Sequence, residues 1–280
     1  MKSVGVKIDR SNKDSVTVNF LGFEYKDAEL LFSFTKYKNP SYDLIEVRKE
    51  SNNDYDRFSL NQLYNGSAES FTNGRGLVSW WKNQVNDNNA YQKVTTYQPE
   101  LIDEFGNLNR KNGFIYINFN KSALRTDTGF VTDGNWFSLV VFELHEFKKS
   151  MMLNADNYEI RERIAQLLKI SDLGGFETIS FNPGSTILKA GSATLNEKSI
   201  MISELTDELT IYKNANFVDS IPILNQKVGS TYFRLGHSTY KNNPQAEFSG
   251  KMYEITHFSF DISQKRNIII NDVNQRNGLS

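Results

Sequence analysis

Hydrophobic and polar residues alternate along most of this 280-residue chain, which is the period-two pattern of half-buried β-strands. The alternation in 4–8 and again in 16–20, on either side of the polar segment DRSNKD, predicts an N-terminal β-hairpin. Similar runs predict further strands at 29–34, 43–48, 113–119, 177–181, 185–190, 199–205, 208–213, 230–236 and 251–260. Turn-forming residues separate the runs, so the pattern favours an all-β sandwich with few helices.

The segment WFSLVVFEL, residues 136–144, lacks this alternation because it is apolar on both faces. A strand of this kind is typical of the middle of a sheet that is covered on each side. We therefore expect it to lie near the centre of the sandwich.

Helical spacing appears in three places. In 158–169, the residues Ile160, Ile164, Leu167 and Leu168 form one narrow apolar stripe, which predicts an amphipathic helix. The segment 263–275 predicts a second helix, with Ser263 as its N-cap and with Ile269, Ile270 and Val273 buried. A short helical turn is also predicted near 67–73.

The N-terminal hairpin, residues 1–26, is interpreted as an element separate from the sandwich of residues 27–280. Its apolar face is too large to leave in water. It must cover the sandwich, join a sheet edge, or dock onto another subunit, and we expect docking or oligomerisation.

Composition narrows the classes of partner. With 32 basic and 33 acidic side chains the net charge is −1, so nucleic acid is not expected as a partner. No run is long and apolar enough to span a bilayer, and we expect no membrane partner. The absence of cysteine excludes disulfides and thiolate metal sites. Charged residues follow the N-terminus at once, so we expect no secretory signal.

Two adjacent tryptophans stand before an Asn-rich run in VSWWKNQVNDNNAYQ, residues 78–92. Neighbours in a strand point to opposite faces, so one tryptophan is expected to fill the core. The other packs under the following loop, which would make both structural, or stays open as a platform for a sugar ring. The candidate carbohydrate-binding residues are Trp80, Trp81, Asn83, Gln84, Asp87 and Tyr91.

The order of several segments resembles the concanavalin A-like lectin/glucanase superfamily in its laminin-G-like form, as found in phage tail-fibre proteins. The likeness begins with VRKESNNDYD, SAESFTNGRG, VSWWKNQVNDNNAYQ and YQPELID, and it ends with ELTIYKNANFVDS and the closing segment 233–266. The chain departs from the family pattern at three places. It has Trp81-Lys82 where the family has Tyr-Asp, Val85-Asn86 where the family has Ser-Gly, and Ala215 where the family has glycine. The resemblance implies an antiparallel jelly-roll sandwich.

The resemblance also implies a function. We expect a non-catalytic, lectin-like protein of a phage virion, made in the host cytoplasm, that contacts host surface glycans and other virion proteins or copies of itself. A purely structural virion subunit is the alternative, and a glycoside hydrolase is a weaker one.

Catalytic members of the superfamily carry paired carboxylates as E-x-D-x-x-E, a motif that this chain lacks. Glu143 and Glu146 have the wrong spacing, and Glu254 is interpreted as structural. His145, His237 and His257 lack ligand-like spacing, and each is expected to be hydrogen-bonded or solvent-facing. Calcium is the candidate ion, because laminin-G-like domains often bind it. Its candidate ligands are Asp54, Asp56, Asp87 and Asp133.

Overall fold

The structure of the chain is a computed structural model. It describes residues 19–20, 23–24, 55–59, 71–72, 77–78, 80–81, 90–101, 109–112, 114–132, 134–157, 162–181, 185–223, 229–240 and 243–279. Within these ranges the strands, in chain order, are β1 (Asn19–Phe20), β2 (Phe23–Glu24), β3 (Tyr55–Ser59), β4 (Phe71–Thr72), β5 (Leu77–Val78), β6 (Trp80–Trp81), β7 (Ala90–Tyr91), β8 (Arg110–Lys111), β9 (Phe114–Ile115), β10 (Ile117–Asn120), β11 (Leu124–Thr132), β12 (Trp136–Leu144), β13 (Ser150–Asn157), β14 (Glu162–Ile170), β15 (Gly175–Phe181), β16 (Ser185–Ser192), β17 (Lys198–Leu205), β18 (Glu208–Lys213), β19 (Asn216–Pro222), β20 (Gly229–Leu235), β21 (Ser238–Tyr240), β22 (Asn243–Gln245) and β23 (Ser249–Phe258). A 3₁₀ turn spans Thr95–Tyr97, and one α-helix, α1, spans Arg266–Asn277.

Two large sheets form the body of the protein. The seven-stranded sheet has the order β10-β23-β12-β17-β18-β19, and β3 pairs with β23 beside β10. The eight-stranded sheet has the order β16-β15-β14-β13-β20-β11-β7-β6. The ladders between these strands are antiparallel. The prediction of an all-β antiparallel sandwich is confirmed.

The central strand β12 shows how the sandwich is filled. Its nine residues are all buried. Val140 and Phe142 pack into the core between the sheets, whereas Leu139 and Val141 belong to a second apolar cluster on the outer face of the seven-stranded sheet. The prediction of a mid-sheet strand covered on both sides is confirmed.

Helix α1 covers the outer face of the seven-stranded sheet. Ile269, Ile270 and Val273 are buried there, as the sequence predicts. The predicted N-cap is wrong, because the helix begins at Arg266 and its N-cap residue is Lys265. Ser263 lies in the preceding turn, where its backbone N–H donates to Asp261 Oδ1 over 2.8 Å.

The predicted helix at 158–169 is wrong, since β14 occupies most of that segment. Register shifts on both sides of β14 place the adjacent residues Leu167 and Leu168 in the same core, together with Ala165. Irregular pairing therefore produces apolar spacing that imitates a helix. Pairing to β13 and β15 outweighs the helix propensity of the segment.

Two further predictions meet the structure only in part. The predicted helical turn near 67–73 is wrong at Phe71–Thr72, which forms β4 and pairs with β5. The predicted hairpin of residues 1–26 lies almost entirely outside the described residues, which include there only the antiparallel pair β1 and β2. Within the described part of the chain, no helix is both long and apolar enough to cross a lipid bilayer.

Candidate functional site

The tryptophan pair lies at an edge of the eight-stranded sheet. Trp81 pairs with Ala90 and is fully buried in the core between the sheets, so it is corrected from a ligand contact to a packing residue. Trp80 pairs with Tyr91 in the backbone register, and its side chain lies outside the described part. The other candidates of the run, Asn83, Gln84 and Asp87, also lie outside the described residues.

Tyr91 is part of a cluster on the outer face of the eight-stranded sheet. Arg125 lies directly opposite it in the register, and Arg125 Nη2 donates to the Tyr91 hydroxyl over 2.6 Å. The Arg125 guanidinium carbon is 5.4 Å from the centroid of the Tyr91 ring and 5.2 Å from that of Tyr232. Lys93 Nζ is 5.5 Å from the Tyr91 ring. We call these four residues the Arg125 cluster.

Alternation along the strands explains why the Arg125 cluster faces outward. Leu124 and Phe233 are buried in the core, so their neighbours Arg125 and Tyr232 point to the opposite face. Arg125 itself is exposed. A guanidinium held between two rings has cation–π attraction added to its hydrogen bond.

The polar residues continue inward from the Arg125 cluster across two more strands. Arg234 is opposite Arg125 in the register, and Asn154 is opposite Arg234. Asn154 is fully buried, and neither its Oδ1 nor its Nδ2 has a hydrogen-bond partner in the described structure. Leaving a buried amide of this kind without a partner costs about 1–3 kcal/mol.

The outer face of the seven-stranded sheet carries a different group of charges. Glu143 is buried and accepts hydrogen bonds from Lys111 Nζ at 2.8 Å and Lys251 Nζ at 2.5 Å. Burial alone would raise the pKa of the Glu143 carboxyl, but these two lysines outweigh it and hold the pKa below its ordinary value. The carboxylate is therefore charged and fully engaged.

The C-terminal end of α1 is fixed beside this group. Asn277 Nδ2 donates to Glu254 Oε2 over 3.0 Å, and Lys198 Nζ donates to the Asn277 carbonyl oxygen over 3.0 Å. Lys198 Nζ also lies 3.6 Å from the Phe114 ring centroid and 4.1 Å from that of Tyr253. Burial lowers the pKa of Lys198 to about 7. Glu254 is thus a structural anchor beneath the helix, consistent with the sequence interpretation.

The N-terminal end of α1 is anchored by a separate ion pair. Arg266 Nη2 lies 2.6 Å from Glu204 Oε2, to which the Tyr212 hydroxyl also donates over 3.1 Å. Burial raises the pKa of the Glu204 carboxyl in spite of Arg266. Both ends of the helix are therefore held to the sheet by buried carboxylates.

The three histidines do not converge. His145 is exposed, His237 is buried at the end of β20, and His257 is buried with its Nδ1 2.7 Å from Ser138 Oγ. Burial lowers the pKa of His257 to about 3, so its ring is neutral. The prediction of hydrogen-bonded or solvent-facing histidines is confirmed for His145 and His257.

The predicted calcium ligands stay predictions. Asp54, Asp87 and Asp133 lie outside the described residues, and Asp56 is described only by its backbone pairing with His257 in β3 and β23. Among the residues that are described, no three His, Asp or Glu side chains converge as metal ligands would.

Sequence reasoning found Tyr91 but missed Arg125, Tyr232 and Lys93. Each strand carried a usable signal, because Leu124-Arg125 and Tyr232-Phe233 both pair an inward residue with an outward one. The missing information was the register that brings β7, β11 and β20 side by side, across about 140 residues of sequence.

The fold resembles those of solved carbohydrate-active proteins. Trypanosoma rangeli sialidase in complex with 2,3-difluorosialic acid aligns with a TM-score of 0.51 and 11% identity, over 93% of this chain and 42% of the sialidase. The same enzyme in complex with a difluorinated 2-keto-3-deoxy-nononic acid aligns with a TM-score of 0.50 and 10% identity, over 79% and 32%. The Ruminococcus gnavus IT-sialidase CBM40 bound to α2,3-sialyllactose gives 0.41 and 12% identity, over 53% and 95%.

This chain therefore spans less than half of the sialidase chains, and at these identities the likeness extends to the fold alone. No protein-family model matches the sequence, and no curated protein matches it. The class that the fold defines is an antiparallel β-sandwich.

Proposed function

We propose that the protein binds carbohydrate through the Arg125 cluster and does not catalyse a reaction on it. The observation that carries the proposal is the arrangement of Arg125 between Tyr91 and Tyr232 on the outer face of the sheet. Sugar sites combine aromatic side chains with a few fixed polar groups that select hydroxyl and charged substituents. The cluster has both, on three neighbouring strands.

The non-catalytic part of the proposal is supported by the two buried carboxylates that the sequence singled out. Glu143 is neutralised by two lysines, and Glu254 bonds to the helix residue Asn277. Both lie on the face that α1 covers, where a glycosidic bond could not reach between them. Hydrolysis by wild-type protein of any glycan that it binds would contradict this part.

The proposal also keeps the setting that the sequence resemblance implies, namely a phage fibre, tail or head-decoration protein that touches host glycans. This setting rests on the resemblance alone. It predicts that the chain is found in purified virions by mass spectrometry and is exposed to antibody on intact particles. Detection only in the soluble fraction of lysed host cells would contradict it.

A glycan array compares wild-type protein with Tyr91→Ala and Tyr232→Ala, and it includes sialosides because the sialidases of similar fold were solved with sialic acids. We expect both variants to lose most binding. Tyr116→Ala is the matched control, because Lys251 Nζ lies 4.9 Å from the Tyr116 ring on the seven-stranded sheet. Tyr116→Ala should bind as wild type does.

The outcomes separate the two functional alternatives. Loss of binding in the Tyr91 and Tyr232 variants, with unchanged circular dichroism, supports the carbohydrate-binding function. If folded wild-type protein binds no glycan, the proposal is wrong and a structural role in an assembly becomes the better interpretation.

A further inference from the structure

We infer that the ligand of the Arg125 cluster is an acidic carbohydrate whose carboxylate is bound by the Arg125 guanidinium. The inference rests on the proposed carbohydrate-binding function and adds the chemical class of the ligand, which is a sugar acid such as a sialic or uronic acid.

The first argument is that cations lie over the aromatic rings of the cluster. Neutral sugars stack on open aromatic faces, but here Arg125 lies over both Tyr91 and Tyr232, and Lys93 lies near Tyr91 as well. A ligand that approaches these rings meets a cation. The described part of the site is therefore charged, and the open aromatic platform predicted at the tryptophan pair stays a prediction for Trp80.

The second argument is the hydrogen-bonding capacity of Arg125. A guanidinium has five N–H donors, and the described structure uses one of them, on the Tyr91 hydroxyl. The two rings and this bond restrict the side chain before a ligand arrives, which lowers the entropy lost on binding. A planar fork of free donors matches a carboxylate in a bidentate geometry.

The third argument is charge balance. Among the described residues no carboxylate lies within ion-pair distance of Arg125 or Lys93, whereas Lys111, Lys169 and Lys251 are each paired with a glutamate. The chain as a whole has a net charge of −1, so the unbalanced positive charge is local. An acidic ligand would complete this balance.

The test compares an acidic glycan with its methyl ester, which differs from it only at the carboxyl group, and with the related neutral and sulfated glycans. Sialyllactose, its methyl ester, lactose and sulfated lactose are titrated against the full chain by calorimetry at two salt concentrations. We expect the acid to bind at least about tenfold more tightly than the ester or lactose, because a charged hydrogen-bonded pair is lost. Uronic-acid oligosaccharides and their neutral counterparts form a second matched series.

Two substitutions of Arg125 add to the test. Arg125→Gln removes the charge, and Arg125→Lys keeps the charge but removes the planar fork. We expect both to lose at least about tenfold in affinity for the acid, while weak binding of lactose stays unchanged. Thermal melts show whether each variant is folded.

The results overturn the inference and the proposed function separately. Three outcomes would each overturn the inference, even if glycans bind. They are equal affinity for sialyllactose and its methyl ester, equal affinity for sialyllactose and sulfated lactose, and unchanged binding of sialyllactose by Arg125→Gln. If wild-type protein binds none of these glycans, nor any on the array, the carbohydrate-binding function itself fails.

Discussion

The outer faces of the two sheets use charged residues in opposite ways. On the seven-stranded sheet, Glu143, Lys198 and Glu254 lie beneath or beside α1, and each has a described partner. On the eight-stranded sheet, Arg125 is exposed and its described contacts are two tyrosines. Paired and buried charges fix a structure, whereas an exposed and restricted charge is available to a ligand.

The eight-stranded sheet shows the same contrast within its own outer face. Near β16, Glu177 is buried between Lys169 and Lys189, and hydrogen bonds from both lysines hold the pKa of its carboxyl below the ordinary value although burial opposes this. Near β7 and β11, no described acid balances Arg125. One end of this sheet therefore carries a closed polar region, and the other end carries an open one.

The largest expected effect is on the helix-covered face. Ile270 of α1 is 1% exposed, so Ile270→Ala should lower the free energy of unfolding by about 2–5 kcal/mol through lost burial and a cavity. Ile187 on the outer face of the eight-stranded sheet is 44% exposed, and Ile187→Ala should cost less than about 1 kcal/mol. Urea denaturation measures both. Similar losses in the two variants would show that the faces do not differ in this way.

The next effect concerns the buried carboxylate of the same face. Glu143→Gln leaves Lys111 and Lys251 without their counter-charge, and it should cost about 2–3 kcal/mol, reduced from a fully buried pair because Lys111 is 37% exposed. Glu146→Gln is the control, since the Glu146–Lys148 pair is exposed and should be worth at most about 1 kcal/mol.

The pH dependence of Glu143 gives a second measurement on the same variant. Because its folded-state pKa is lowered, the stabilisation is present above its ordinary value of 4.5 and is lost as pH falls through the folded-state pKa. The free energy of unfolding of Glu143→Gln should therefore be lower than that of the wild type near neutral pH, and it should fall less steeply as the pH is lowered. An unchanged acid profile would contradict this prediction.

Lys198 should give an effect of the same sign, since stability again rises with pH, but in the neutral to alkaline range. Its pKa is lowered from 10.5 to about 7, so between these values the unfolded chain binds a proton that the folded chain does not. The free energy of unfolding should therefore rise from pH 7 to pH 9. The rise should flatten in Lys198→Met, and also in Lys198→Arg, which stays charged. Denaturant midpoints across this range check it, and a persistent slope in both variants would exclude Lys198 as its source.

The sequence predicted β12, β15, β17 and β18 because the pattern of apolar and polar residues within a strand is local. β15, β17 and β18 follow from their alternation, and β12 follows from its continuous apolar run. The segment of β14 could not be predicted, because its apolar spacing results from register shifts with strands on either side. A strand whose pairing is irregular loses the period on which the prediction depends.

The turn between β18 and β19 shows a second limit. Asn214 and Ala215 both have positive φ, 48° and 70°, so an alanine occupies a position that favours glycine. The sequence identified Ala215 as a departure from the family pattern but gave no reason why the turn tolerates an alanine there. The structure offers one, because Asn214 Oδ1 accepts the Ile200 backbone N–H over 2.7 Å and fixes the turn to the adjacent strand.

The candidate site was predictable only in part, for the same reason as β14. Tyr91 stood out beside the tryptophans, whereas the local alternation at Arg125 and Tyr232 shows that both face outward but not that they meet. They become a site through the pairing of β7, β11 and β20, which depends on contacts distant in sequence.

The smallest expected effect is on the open face and has the opposite sign. Asn154 is buried with both polar atoms unpaired in the described structure, so Asn154→Leu should raise the free energy of unfolding by about 1 kcal/mol. Asn277→Leu is the matched control on the closed face, where the amide donates to Glu254 and to the Val273 carbonyl oxygen, and it should destabilise. Destabilisation by Asn154→Leu would instead mean that this amide has a stabilising partner, such as an ordered water, and the two faces would then be alike.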